Sequence, residues 1–228
     1  MSEQVDEFEF FLEKDWSDGL PVVTPTEERI ARMLTGTKRA PDEVIGPIPP
    51  AMEIATVESV AVHALMAGCK PEYLPVVIAA TEMMLRDEFN VNGVQGTMHG
   101  VAPMMIVNGP YAEEIGIHGG NGCMGPGFRS NAAIGRAIRL VLMNLGAGIP
   151  GVSSMTIFGM PSRYTYCLTE NMEDHPWDSL AVSKGYRPDE NVITMAMVES
   201  PRFCFDDVSD EPDRLLTGVA DTMVAMGS

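Results

Sequence analysis

Positive charge is what this sequence has least of. Lys and Arg number 15 against 32 Asp and Glu, a formal net charge of −17. Such a field repels phosphate backbones and anionic headgroups, so nucleic acid and membrane surfaces are set aside as partners. Aromatic rings are sparse, with two Trp and eight Phe, whereas 18 Met are available to fill an irregular core. The four cysteines, Cys69, Cys123, Cys167 and Cys204, lie far apart and form no CxxC pair. Their spacing excludes a zinc ribbon and a thioredoxin-type dithiol. No apolar run reaches membrane-spanning length, and the opening MSEQVDEFEFFLEKDW is acidic where a signal peptide is basic and then apolar. A cytoplasmic protein with reduced thiols is expected. GxSxG, HExxH and the Walker pattern GxxxxGK[ST] are missing as well, which removes the best-defined hydrolase and nucleotide signatures.

What is present suffices for a real core: 228 residues, 45% of them hydrophobic and 21% charged. No repeat and no low-complexity linker divides the chain, so the expectation is an acidic arm over 1–14 and one α+β domain over 15–228. Helical spacing of Phe8, Phe11 and Leu12 predicts a short helix over 3–14, and Thr26 ahead of Glu27 and Glu28 predicts another over 27–34. Residues 41–50 read as a proline-punctuated connector. Residues 56–69 and 72–85 read as a buried helical hairpin, with Pro75 in the first turn of its second arm. Strand signals occupy 91–97, 102–107, 155–158, 164–168 and 192–198, with helices over 131–144 and 213–226. Helices first, then strands around one central helix, give an α+β domain with a mixed β-sheet rather than a doubly wound one.

The densest chemistry is HGGNGCMGPGFRSNAAIGRAIRL, residues 118–140, where five glycines in nine positions precede Arg129, Arg136 and Arg139. Gly120-x-Gly122-x-x-Gly125 matches a dinucleotide fingerprint by letter only, because Pro126 and Gly127 follow where a tight strand-turn-helix is needed. A helix N-terminus beside arginines favours an anion, with Arg129 at its mouth and Arg136 two turns on along the same face. The bland alternative is that Gly127 and its neighbours let the helix pack closely while the arginines pair with carboxylates elsewhere.

His99 and His118 flank the strand at 102–107, and Cys123 lies five residues beyond His118. With a carboxylate they compose a conceivable divalent-metal set, at a spacing that matches no dedicated zinc pattern. His63, inside an apolar helix, reads as a core residue. Cys69 reads equally as a nucleophile or a buried thiol, and Cys167 as a strand core residue or nucleophile. Glu170 and Asn171 follow a strand, where functional polar groups concentrate, and Glu170 is the favoured acid/base.

The strings DWSDGLPVVTPTEERIARML, TVESVAVHALMAGCKPEYLPVV, MIVNGP, GPGFRSNAAIGRAIRL and TYCLTENMEDHPW, in that order over about residues 15 to 200, resemble a poorly characterised bacterial family often found beside small UGSC-motif (seleno)proteins. The resemblance implies a soluble accessory or catalytic protein of small-molecule metabolism, coupled to a thiol or selenol partner protein. It draws attention to Cys69, Arg129, Asn131, Arg136, Cys167, Glu170 and Asn171. The family pattern has Thr-Thr-like residues in place of TMHG and no Cys in the glycine loop, so His99 and Cys123 are peculiar to this chain or neutral.

The leading expectation is an enzyme, a lyase or hydrolase without a cofactor, acting on a small carboxylate-bearing molecule at the glycine loop. Arg129, Asn131, Arg136, Asn171 and Gly127 would hold the substrate, Glu170 or His99 would move a proton, and Cys69 or Cys167 would serve as nucleophile. The alternatives are a metal enzyme built on His99, His118 and Cys123, and a non-catalytic subunit docking a partner. A homo-oligomer is expected in each case.

Overall fold

A computed structural model describes residues 6–224. The first helix, α1 (Glu7–Leu12), opens where the Asp6 side chain accepts from the Phe8 N–H. Its expected start at Glu3 lies outside the described residues, as do positions 225 and 226 of the expected closing helix. Phe11 meets Trp16 edge to face at 5.3 Å and both rings rest on the core, so the acidic arm touches the core through Phe11 while Phe8 and Phe10 stay exposed. Helix α2 (Glu27–Leu34) forms where expected, because Thr26 Oγ1 accepts from the Arg29 N–H and Glu27 and Glu28 occupy the first turn.

The connector expected over 41–50 is instead half of a hairpin. Strand β1 (Val44–Ile48) pairs antiparallel with β2 (Glu53–Thr56), with a register irregularity at Gly46. Pro47 is tolerated there because a two-stranded ribbon is all edge.

Helix α3 (Val57–Met66) begins with a capping box in which Thr56 and Ser59 each bond the other's backbone N–H. Its end is a Schellman motif: Gly68 takes φ 91° and donates to Leu65 O, while Cys69 donates to Ala64 O. A 3₁₀ turn at Pro71–Tyr73 leads into α4 (Leu74–Met84), with Pro75 in the first turn. The two helices are the expected hairpin, buried on most sides.

Helix α5 (Val91–Gly96) replaces the strand expected at 91–97. Asn90 caps it by accepting from the Gly93 N–H, and Val91 and Val94, three apart, are both buried on one helical face. Strand β3 (Ala102–Asn108) follows, then α6 (Pro110–Glu114), the long α7 (Arg129–Asn144), β4 (Cys167–Leu168), α8 (Leu180–Ser183), β5 (Val192–Val198) and α9 (Pro212–Val224). No strand forms at 155–158. Met155 and Ile157 donate singly to Gln95 O and Met98 O, and Phe158 is almost wholly exposed, so there is neither ladder nor buried face. The strand expected over 164–168 shortens to β4.

In the three-stranded sheet β3 is central. Strand β4 runs parallel to it, with Met105 opposite Cys167, and β5 runs antiparallel from Ala102↔Val198 to Asn108↔Val192. Helices α3, α4 and α7 pack on one another, α7 lies against β4, and α4 lies against β5. Closeness of α7 to β4 depends on Gly135, where an added Cβ would collide with Thr165 Oγ1 and Tyr166 N. The result is one α+β domain with a mixed sheet, and no helix among the described residues is long and apolar enough to cross a membrane.

Candidate functional site

The Schellman end of α3 leaves the Gly68 carbonyl turned outward, and Arg129, the first residue of α7, donates to it from Nε at 3.1 Å and Nη2 at 3.0 Å. A cation at a helix C-terminus completes orphan carbonyls and complements the dipole. Arg129 therefore reaches away from the glycine loop. It borders a surface cavity of about 430 Å³ together with Arg29, Arg32 and Lys70. Arg29 and Arg32 stand three apart on α2, so they share a face. Glu72 is the one carboxylate on the wall and lies 3.5 Å from Lys70, both half exposed. Arg29, Arg32 and Arg129 have no carboxylate within ion-pair distance among the described residues.

Cys69 lies on the same wall but is 5% exposed. Burial pushes its thiol well above the ordinary range, the neighbouring Cys167 adds to this, and Arg129 opposes it weakly. Burial likewise pushes the Cys167 thiol up to about 12. Both stay protonated near neutral pH, in keeping with the buried-thiol reading of each.

At the mouth of α7, where the anion is expected, the side chains of Ser130 and Asn131 are taken up by the preceding loop. Asn131 is buried, its Oδ1 accepts from the His118 N–H at 2.9 Å, and its Nδ2 donates to His118 O and Cys123 O at 2.8 and 3.1 Å. It clasps the glycine loop rather than a ligand. Ser130 Oγ donates to Gly116 O in the same way. Gly127 adopts φ 124° two residues before α7. Asn131, Cys123 and Cys167 border a separate cavity of about 310 Å³. Arg136, the second expected anion ligand, is held by Asp18 and is unavailable to a substrate at the loop.

A third and larger cleft, about 990 Å³, opens at the carboxyl ends of the parallel strands β3 and β4. MIVNGP supplies Asn108, the glycine loop supplies His118 to Asn121, and TYCLTENMEDHPW supplies Glu170, Asn171 and Trp177. Glu170 Oε2 accepts from Asn108 Nδ2 at 2.7 Å and from the Leu180 N–H at 2.8 Å, while Oε1 has no hydrogen-bond partner among the described residues. Asn108 is 4% exposed, and its buried Oδ1 has no partner among the described residues. Because a carboxylate only accepts, the bond to Glu170 fixes which end of the Asn108 amide is Nδ2. His118 stacks on Phe128 at 3.8 Å and its Nε2 lies 3.1 Å from Asn121 O. Asn171 donates to Asp174, and Glu113, Glu173, Asp174 and Asp178 make the cleft acidic.

The remaining candidates disperse. The His99 side chain is 76% exposed and pairs with Glu199 at 3.1 Å, away from Glu170 and from the cationic cavity. His63 is buried, its Nδ1 bonds Ser59 O at 2.6 Å, and burial pushes its pKa down. His99, His118 and Cys123 do not converge, and no group of three or more His, Cys, Asp or Glu among the described residues is arranged to hold a metal ion. Sequence reasoning missed Arg29, Arg32 and Asn108. The i, i+3 arginine pair in TEERIARML was the available signal for the first two; Asn108 was hidden inside a turn motif.

No protein-family model matches the chain, and searches of curated proteins and of solved structures found no similar protein.

Proposed function

We propose that this chain binds a small organic anion, bearing a carboxylate or phosphate, in the cavity of Arg29, Arg32, Lys70 and Arg129. The observation that carries the reading is charge distribution: in a chain of net charge −17, four cations and one carboxylate border a single cavity. Gathering like charges costs energy that an anion returns, and guanidinium forks suit planar oxyanions. A volume near 430 Å³ is in the range of metabolite sites. Calorimetric titration with acetate, succinate, citrate and inorganic phosphate tests it. Saturable binding that weakens in Arg129→Leu supports the site, and equal binding by both proteins removes it.

A second reading, proton-transfer catalysis of the lyase or hydrolase type, is favoured by the cleft at the strand ends. There Glu170 is oriented through Oε2 and keeps Oε1 for a substrate proton. Its acidic wall suits a neutral or cationic substrate, so this reading is separate from the anion site.

A further inference from the structure

The interior beside α7 holds another excess of positive charge, distinct from the Arg129 cavity. Arg139 projects from α7 and donates from Nη2 to Gly148 O at 3.1 Å. Arg163 donates from Nη1 to Val101 O at 2.8 Å and from Nη2 to Ser154 Oγ at 2.6 Å. Neither guanidinium has a carboxylate within ion-pair distance among the described residues. The carboxylate that acts on Arg139, Asp18, is already gripped by Arg136. Burial and the neighbouring Arg163 push the Arg139 pKa down to about 10, an indication that the two charges face each other in a poorly solvated place.

Between them lies a cavity of about 20 Å³ that Gln95 also lines. Gln95 is 2% exposed, and its buried Nε2 has no acceptor among the described residues. That Nε2 lies close to Gly148, the residue whose carbonyl takes Arg139. The rest of the wall is largely apolar, with Val94, Ile138 and Leu142, and also carries Ser162 and Tyr166.

We propose that Arg139, Arg163 and the Gln95 amide line a structural site for one monatomic anion of chloride size. The volume is that of about one water-sized sphere, too small for a carboxylate ligand or an oxyanion. Water suits it less well than an anion, because a neutral molecule leaves the two guanidinium charges uncompensated. A halide accepts from all three side chains and offsets one charge. The site is independent of the proposed metabolite cavity, since the two share no residue.

Bromide tests this directly. Crystals soaked in sodium bromide are expected to show an anomalous peak within hydrogen-bond reach of Arg139, Arg163 and Gln95. The thermal midpoint is expected to rise with bromide or chloride and saturate, and not to rise equally with sulfate at matched ionic strength. At a hundredfold excess over Kd, the folding equilibrium gains about 100-fold. Gln95→Glu supplies a fixed negative charge in the same place and is expected to abolish the halide dependence. Crystals without the bromide peak would overturn the proposal. So would a halide effect matched by sulfate, or one undiminished in Gln95→Glu. Should that variant fail to fold, the soak and the salt titration of the unaltered protein decide.

Discussion

Arg136 and Asp18 stand 118 positions apart in the chain and meet through two parallel bonds, Nε to Oδ2 at 2.7 Å and Nη2 to Oδ1 at 2.8 Å. Their side chains are 14% and 3% exposed, and Nη2 also donates to Leu20 O. The pair fastens the segment after α1 to the middle of α7, so it is a structural clamp and not a substrate ligand. Breaking it by Asp18→Ala leaves a poorly solvated guanidinium without its counter-ion and is expected to cost about 3–5 kcal/mol in denaturant unfolding. The double change Asp18→Leu with Arg136→Met is expected to cost less than the single one.

Arg129→Leu is expected to weaken binding of the best carboxylate or phosphate about 10- to 100-fold, the worth of one charge-assisted contact. Arg32→Ala is expected to act in the same direction with little effect on stability, because Arg32 is exposed and forms no ion pair among the described residues. Isothermal titration of the three proteins checks both, and unaltered affinity in Arg32→Ala counts against the cavity as the site.

Gly135→Ala forces a methyl group into Thr165 Oγ1 and the Tyr166 backbone. A loss of about 1–3 kcal/mol is expected. Gly151→Ala serves as a strained surface control, since its φ is 77° but nothing lies within 4 Å of the added Cβ. Comparing their unfolding midpoints separates packing from backbone strain.

Two titrations follow from burial. The Cys69 and Cys167 thiols have raised folded-state pKa values, so the unfolded chain ionises first as pH climbs. Stability is whole below the unfolded thiol pKa near 9 and declines toward the Cys167 value of about 12, by at most about 1.4 kcal/mol per pH unit per thiol. The buried His63 has a lowered pKa, so the unfolded chain takes up its proton first and stability also falls as pH drops below the ordinary histidine value of 6.5. Unfolding across pH 5–11 is expected to show a maximum between these limits. Iodoacetamide at pH 8 is expected to label exposed Cys204 well before Cys69 or Cys167. Equal labelling rates would contradict the burial.

If Glu170 moves a proton in the strand-end cleft, Glu170→Gln is expected to lower kcat by 100-fold or more while retaining the bond from Leu180 N–H. Asn108→Asp places a second carboxyl beside Glu170 and is expected to raise the pH at which activity appears. The pH profile is the readout, since activity that does not depend on the ionisation of Glu170 would leave it unmoved.

Local signals in the sequence determined the elements whose cause is local. Thr26 with its following glutamates, the Thr56 capping box, Gly68, and Pro75 in a first turn each act within a few residues, and α2, α3 and α4 appear accordingly. The expected α+β class followed from the order of such elements. Local pattern failed where a short apolar stretch fits either period: 91–97 became a helix because Asn90 caps it, and 41–56 became a hairpin because two weak strands found each other. Arg129 and Arg136 carried equal weight as sequence neighbours. Tertiary structure alone separated them, since Asp18, 118 positions earlier in the chain, neutralises Arg136, whereas Arg129 joins three cations from elsewhere in the chain around an open cavity. Charge and spacing along a chain say which groups are available. Which of them remain unpaired is decided by contacts between segments far apart in sequence, and that is a property of packing.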